Sequence, residues 1–267
     1  MRASLRSVLN RYPRLKRLLK FWLQKSHVGA GVSSHYVQIQ GREAEQESSR
    51  LRGAWQSQDL PARQRELVDT QLAAWRRGVA VDVFDVMTRA LRALPSDVRG
   101  MSVLEVGCSS GFYSEVFEIA GLDLHYAGCD YSEAFIGLAR QKYPALRFDV
   151  EDATALKNGD DAFDIVISGC CLLHIPEYEV AVAETARVAS RYAIFHRTPV
   201  VLGSPNVYYR KQAYGVETVE IHFNEPQFLK LLERHGLKLI ATYTLDESVQ
   251  GGVGSANRTY VCRKISS

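Results

Sequence analysis

With 267 residues, 46% apolar and 24% charged, the chain has the composition of a globular protein that buries one large core and carries an extension. No run approaches the roughly 18 apolar residues of a membrane-spanning helix. The five cysteines form no CxxC pair and the seven histidines show no HExxH or Cys/His spacing, which points to buried free thiols in a reducing, cytoplasmic setting and away from a catalytic metal.

The net charge of +3 hides an asymmetry: residues 1–42 hold nine Lys or Arg and no acid, leaving 24 basic against 30 acidic residues in the rest. This sets residues 1–42 apart as a basic N-terminal arm. Within it Leu5, Val8, Leu9 and Tyr12, then Leu15, Leu18, Leu19, Trp22 and Leu23, recur at helical spacing, with Pro13 between the two sets and Arg14, Lys16, Arg17 and Lys20 opposite. Three readings compete: a peripheral membrane helix over residues 1–25, an organelle transit peptide, or a basic arm packed on the body.

Val28 to Val37, with two glycines and two serines, reads as a linker, and residues 43–58 as polar and weakly helical at best. Pro61 opens a segment in which Leu67, Val68, Leu72 and Trp75, and later Val83, Met87, Leu91 and Leu94, keep helical spacing until Pro95. Residues 43–96 are therefore expected to be a helical extension covering the main sheet, with Trp55 and Trp75 as packing residues.

The chain turns on Val103 to Tyr113, VLEVGCSSGFY, where a buried-strand pattern ends in a carboxylate and a glycine-bounded turn that feeds a helix. A strand leading through glycines to a helix N-terminus is a ligand cradle. The next apolar run, Leu124 to Cys129, stops at Asp130, 19 residues beyond Gly111, where a carboxylate accepts from a ribose diol in nucleotide-type sites. Strand and helix then alternate: a helix from Ser132 to Tyr143, a strand from Leu146 to Val150 ending at Glu151 and Asp152, a strand at Phe163 to Ser168, and a helix from Glu177 to Ala189. A fifth strand, Tyr192 to His196, is limited by Pro199. Residues 200–223 are too long for an ordinary connector. Asn224 caps a helix ending at Gly236, and two strands, Leu237 to Leu245 and Arg258 to Arg263, close the chain. The alternation predicts an α/β fold with a mostly parallel sheet and helices on both faces.

These residues resemble the class I S-adenosylmethionine-dependent methyltransferases. The likeness rests on Glu105-Val-Gly107-Cys-Ser-Ser-Gly111, Asp130-Tyr131-Ser132, Asp152-Ala153, and Phe163-Asp164-Ile-Val-Ile-Ser168 continuing to Leu173-His174-Ile175, four motifs in order over residues 100–200. It implies a Rossmann-like seven-stranded sheet with an antiparallel last strand, spanning 97–267, and S-adenosyl-L-methionine as cofactor. By carry-over, the Gly107 to Gly111 backbone, including Ser109 where the family often has glycine, approaches the methionine and ribose. Glu105 helps hold the amino-acid end, Asp130 takes the ribose hydroxyls, Asp152 and Ala153 face the adenine, Tyr131 packs on it, and Cys170 lines the methionine end.

An oxygen acceptor must lose a proton, which asks for a base. His174, after the fourth strand, is the first candidate, weighed against a capping or core histidine, and His196 the second. Residues 200–223 are expected to be an acceptor lid, with Tyr208, Tyr209, Arg210, Tyr214 and His222, beside Lys211, offering ring faces and donors. The expected activity is O-methylation of a small molecule or a lipid-linked glycan. Rivals are methylation of RNA or protein, a NAD-dependent oxidoreductase, and an inactive cofactor-binding subunit. The acidic body argues against nucleic acid, and G-x-x-x-G with Asp152-Ala153 does not suit the dehydrogenase fingerprint.

Overall fold

The computed structural model describes residues 33–250 and 253–265; the proposed membrane, transit or packed helix of residues 1–25 lies outside them. The chain opens with β1 (Ser33–Ile39) and α1 (Gly41–Arg50), followed by a short 3-10 turn at Ala54–Gln56, α2 (Leu60–Arg76) and α3 (Asp82–Arg92). The alternating part comprises β2 (Met101–Val106), α4 (Tyr113–Ile119), β3 (Leu124–Asp130), α5 (Glu133–Lys142), β4 (Arg147–Val150), β5 (Phe163–Gly169), a 3-10 turn at Leu172–His174 and α6 (Tyr178–Val188). Then come β6 (Ala189–Leu202), the hairpin β7 (Val207–Ala213) and β8 (Val216–Asn224), α7 (Glu225–Arg234), β9 (Leu237–Gln250) and β10 (Val253–Lys264).

Seven strands form the expected core, in the order β4-β3-β2-β5-β6-β10-β9, parallel except for β10, which runs antiparallel to both neighbours. The sheet is nonetheless larger than seven strands: the described residues contain ten, because β1, β7 and β8 continue it past β6. β8 joins β6 through Val200 and Val201, paired with Phe223 and Asn224, so this three-stranded wing stands at the C-terminal end of β6. That is the end of a parallel sheet where ligands bind.

The cores follow the sequence pattern. Val103, Ile165, Ile167 and Ile194 are sealed inside the sheet, and α3 lays Phe84, Met87 and Leu91, all with 0% exposure, against it. Ser132 caps α5 by accepting from the Phe135 N–H, and Asn224 caps α7 through the Gln227 N–H at 2.9 Å.

Four expectations need correction. The linker over Val28 to Val37 is in part β1, antiparallel to β7, so the arm set apart at residue 42 has its last residues inside the sheet; Ser33, Ser34 and Val37 pair in a ladder whose partner strand the sequence did not reveal. Residues 43–58 are regularly helical only as far as Arg50, where α1 adds the burial of Ala44 against Ile39 and Val219 in a satellite core to the good intrinsic propensity of its Arg, Glu, Ala and Gln residues. Pro199 does not end β6, which runs on to Leu202. Residues 200–223 are strand and hairpin, not a loop, turning at Tyr214-Gly215 with φ of 49° and 82°, the pair of left-handed residues a two-residue hairpin turn requires.

Candidate active site

A cavity of about 350 Å³ opens over the C-terminal ends of β2, β3, β5 and β6. Its floor is the turn after β2. Gly107 and Gly111 have φ of 74° and 72°, and an added Cβ would come within 2.4 Å of Cys171 Cβ and 2.6 Å of the Phe148 ring respectively. Both conformation and space therefore demand glycine. Ser109, also left-handed at φ 47°, donates its N–H to Asp130 Oδ2 at 2.9 Å, while Asp130 Oδ1 accepts from the Ser132 N–H at 3.0 Å. Asp130 thus ties the turn after β2 to the start of α5. Burial raises its pKa to about 6 against those backbone donors.

Glu105 ends up beneath this turn, 1% exposed, with Tyr126 Oη donating to Oε2 as its only hydrogen bond among the described residues. Burial pushes its carboxyl up to about 8, countered by the Tyr126 hydroxyl. A buried carboxylate lacking a cation, at the edge of a cavity, is a receiver for one. This suits the ammonium of an amino-acid end, and the carboxylate of Asp130 with its remaining lone pairs suits a diol. The residues present therefore fit S-adenosylmethionine.

At the opposite side of the floor, Asp152 accepts the N–H and hydroxyl of Thr154 through Oδ1 at 2.8 and 2.7 Å and faces Arg52 with Oδ2 at 3.7 Å. Arg52 also reaches Glu177 at 3.3 Å, and its carbonyl accepts from Tyr131 Oη at 3.0 Å. The segment before the Ala54–Gln56 turn thus straps the two loops that flank Asp152, Ala153 and Tyr131. Cys170, at φ 61°, lines the cavity beside Cys171, whose thiol burial pushes up to about 12. All five cysteines are free thiols, and Cys170 and Cys171 are only half-buried.

The roof was not read from the sequence. Trp55 donates Nε1–H to Thr218 Oγ1 at 3.1 Å, and its ring lies 4.7 Å from that of His174 and 6.3 Å from that of Tyr214. Tyr36 of β1, Lys211 of β7, Glu220 of β8, Gln64 and Gln71 of α2, and Arg197 also line the cavity. Lys211 is ion-paired with Glu220, which His222 Nε2 contacts at 2.8 Å. Burial opposes ionisation of Glu220, but these two partners hold its carboxyl at about 2.

His174 meets the cavity with its Nδ1–H donated to the Val219 carbonyl at 2.7 Å, which leaves the lone pair on Nε2. Burial, reinforced by the charge of Lys211, lowers its pKa to about 4, so the ring is neutral near pH 7. His196 lines the cavity too, but both ring nitrogens are engaged, Nε2 with Tyr113 Oη at 2.8 Å and Nδ1 with Thr259 Oγ1 at 2.9 Å, and burial lowers its pKa. Both nitrogens of His196 are thus taken by partners within the fold, which favours a structural role over the expected base role.

Of the five expected acceptor residues only Tyr214 lines the cavity. Tyr208 points across β7 into the satellite core with Ile39 and Val219. Arg210 pairs with Glu47 and Glu217 at 3.5 and 3.4 Å on the outer face. Tyr209 packs between Tyr36 and His222 at ring distances of 5.8 and 4.8 Å. These four shape the wing that carries the wall.

Comparison with known proteins agrees with this geometry. Residues 104–195 match a family model described as a methyltransferase domain. A demethylmenaquinone methyltransferase from Renibacterium salmoninarum is 34% identical over 118 residues, 44% of this chain and 44% of that protein. A ubiquinone biosynthesis O-methyltransferase from Sinorhizobium fredii is 30% identical over 89 residues, 32% of this chain and 35% of its own. The chain thus spans less than half the length of these curated relatives. The magnesium protoporphyrin IX methyltransferase structure of Synechocystis PCC 6803 with bound SAH superposes with a TM-score of 0.51 at 17% identity, covering 82% of this chain and 100% of that one, a likeness of fold. Residues 104–195 thus match a methyltransferase domain, set in a fold similar to that of a solved methyltransferase.

Proposed function

We propose that this protein transfers a methyl group from S-adenosylmethionine to an oxygen of a small-molecule acceptor. The observation that carries the reading is one cavity lined both by Glu105 and Asp130 and by His174, Trp55 and Tyr214. When bound, the cofactor supplies an already activated sulfonium methyl. Glu105 would hold its amino group, Asp130 its ribose hydroxyls, and Asp152, Ala153 and Tyr131 its adenine. What remains for the chain is to place an acceptor oxygen in line and to keep water out, which contributes most of the acceleration in such a displacement. His174 Nε2 is suited to receive the hydroxyl proton, since its tautomer is fixed by Val219. The named activity of the Sinorhizobium relative, an O-methyltransferase, supports oxygen as the acceptor atom.

Purified protein should bind S-adenosylmethionine and S-adenosylhomocysteine and not NAD in calorimetry, and with labelled cofactor the label should enter the small-molecule fraction of an extract. A sugar hydroxyl is one such oxygen, so the lipid and glycan fractions are counted separately. Label confined to RNA or protein would refute the acceptor class. The basic residues 1–25 add a second reading, peripheral membrane association, supported by their composition alone: full-length protein should float with anionic vesicles and come off with salt, and removal of residues 1–27 should abolish flotation while cofactor binding stays.

A further inference from the structure

Arg197 stands out from the other arginines around the cavity. In the β6–β10 ladder Phe195 faces Tyr260 and Thr198 faces Arg258, so His196 and Arg197 together oppose the single residue Thr259. This is a one-residue bulge, a device that re-aims a side chain. It is pinned by Thr259, 0% exposed, whose Oγ1 accepts from the Arg197 N–H at 3.4 Å and bonds His196 Nδ1 at 2.9 Å. Arg197 is held at φ 56°, a conformation that costs a non-glycine residue on the order of 1 kcal/mol. Six non-glycine residues among those described have positive φ, and four of them, Ser109, Cys170, Arg197 and Tyr214, line the cavity. Backbone strain is concentrated where a ligand would sit.

The Arg197 side chain lines the cavity and has no carboxylate or hydrogen-bond partner among the described residues; its Nε is buried and unpaired. Glu220, the acid whose field reaches it, is already engaged by Lys211 and His222. Arg52, which also lines the cavity, has carboxylate partners in Asp152 and Glu177. A guanidinium taken from water without a counter-charge is costly, and its planar fork matches a carboxylate. Two further lining residues carry buried polar atoms without partners, Gln64 Oε1 and Asn257 Oδ1. Counting charges at this end, Arg197 and Lys211 against Glu220 leave one positive, which a monoanion balances and a dianionic phosphate overshoots.

We propose that the methyl acceptor is a small hydroxylated carboxylic acid whose carboxylate is received by Arg197, with its hydroxyl-bearing part toward Gln64, Asn257 and His174. This rests on the methyltransferase reading of the cavity. Arg197 is an anchoring and specificity residue, and the carboxylate it holds is not the methylated group.

The test is calorimetry of the protein loaded with S-adenosylhomocysteine, titrated with acetate, benzoate, 4-hydroxybenzoate and 4-hydroxycinnamate, each against its amide. At least one carboxylate should bind about 10-fold or more tighter than its amide, as a charge-assisted pair predicts. Arg197→Gln should reduce that preference to about twofold or less, and Arg197→Lys should retain part of it, with cofactor affinity unchanged in both. Equal binding of acids and amides, no binding of any acid, or a preference that survives Arg197→Gln overturns the proposal. Loss of S-adenosylhomocysteine affinity in Arg197→Gln overturns it too, since the guanidinium would then serve the cofactor carboxylate. If the wild type fails to bind S-adenosylhomocysteine, the methyltransferase reading fails instead, and the same acids titrated on cofactor-free protein still report whether Arg197 holds an anion.

Discussion

The two ends of the cavity are built by different means. The end proposed for the cofactor comes from consecutive strand ends, β2 through β4, each delivering a residue near the point where its strand stops: Glu105, Asp130, then Asp152 two residues past β4. The acceptor end is assembled from segments far apart in the chain, Trp55, Gln64, Arg197, Lys211, Tyr214 and Asn257, held by β1, the wing and a bulge. The first is set by local strand-turn-helix patterning within the residues that match the methyltransferase domain model; the second depends on pairing between distant segments, several of them outside that match.

That division can be broken most forcefully at Asp130. Asp130→Ala should weaken S-adenosylhomocysteine binding by about 2–4 kcal/mol, through lost charge-assisted bonds and through release of the Ser109 and Ser132 N–H groups it holds. Because that release also loosens the fold, Asp130→Asn is the companion variant, expected to keep the melting temperature closer to wild type while still losing affinity. Unchanged affinity in both would remove Asp130 from the cofactor end.

The acceptor end is tested next by His174→Ala, which should lower kcat roughly 10²-fold with cofactor affinity unchanged. Since burial holds the His174 pKa at about 4 rather than the ordinary 6.5, turnover should persist as pH falls through 6 and decline only toward pH 4. A rate that titrates near 6.5 would assign the base to another group.

Glu105→Gln gives a smaller, two-signed effect. Folding raises the Glu105 pKa from 4.5 to about 8, so the folded state holds its proton more tightly, and the residue's contribution to stability falls as pH rises from 4.5 to 8. The glutamine should therefore leave the cofactor-free protein more stable at pH 8.5, by on the order of 2 kcal/mol, yet bind S-adenosylmethionine more weakly. A melting temperature at pH 8.5 below wild type contradicts the burial assignment.

The smallest effects are expected where sequence and structure disagree. Arg210→Ala lies outside the cavity wall and should change kcat/KM by about twofold or less, whereas Trp55→Ala, which strips the ring over His174, should raise the acceptor KM by about 10-fold. The reverse ranking would restore residues 200–223 as a substrate lid.

The strand-helix alternation and the strand-end carboxylates were legible because each is written locally, as apolar runs, glycines, then an acid, while the seven-stranded core came from the family resemblance. The wing was not, because β1 and β7 pair across some 170 residues and neither carries a signal of the other. Side-chain direction was lost with it. Once Val207 to Ala213 is a strand, alternate residues must face opposite sides, so Tyr208 and Arg210 could not share a surface with Lys211. Trp55 had one usable signal, a lone tryptophan in a polar stretch. Arg197 had none, since a bulge depends on the partner strand.

The bulge at His196 and Arg197 also works as a phase shifter. Side chains along a strand alternate with a period of two, and one additional residue on β6 reverses that parity between Ile194 and Val200. The inner half of β6 thereby pairs with β5 and the outer half, after the reversal, with β8. Removing one residue here would do more than delete a charge. It would turn every side chain from Thr198 to Leu202 to the other face and uncouple the wing from the core, so changes in acceptor choice are expected to arise by substitution at this point in the strand and not by deletion.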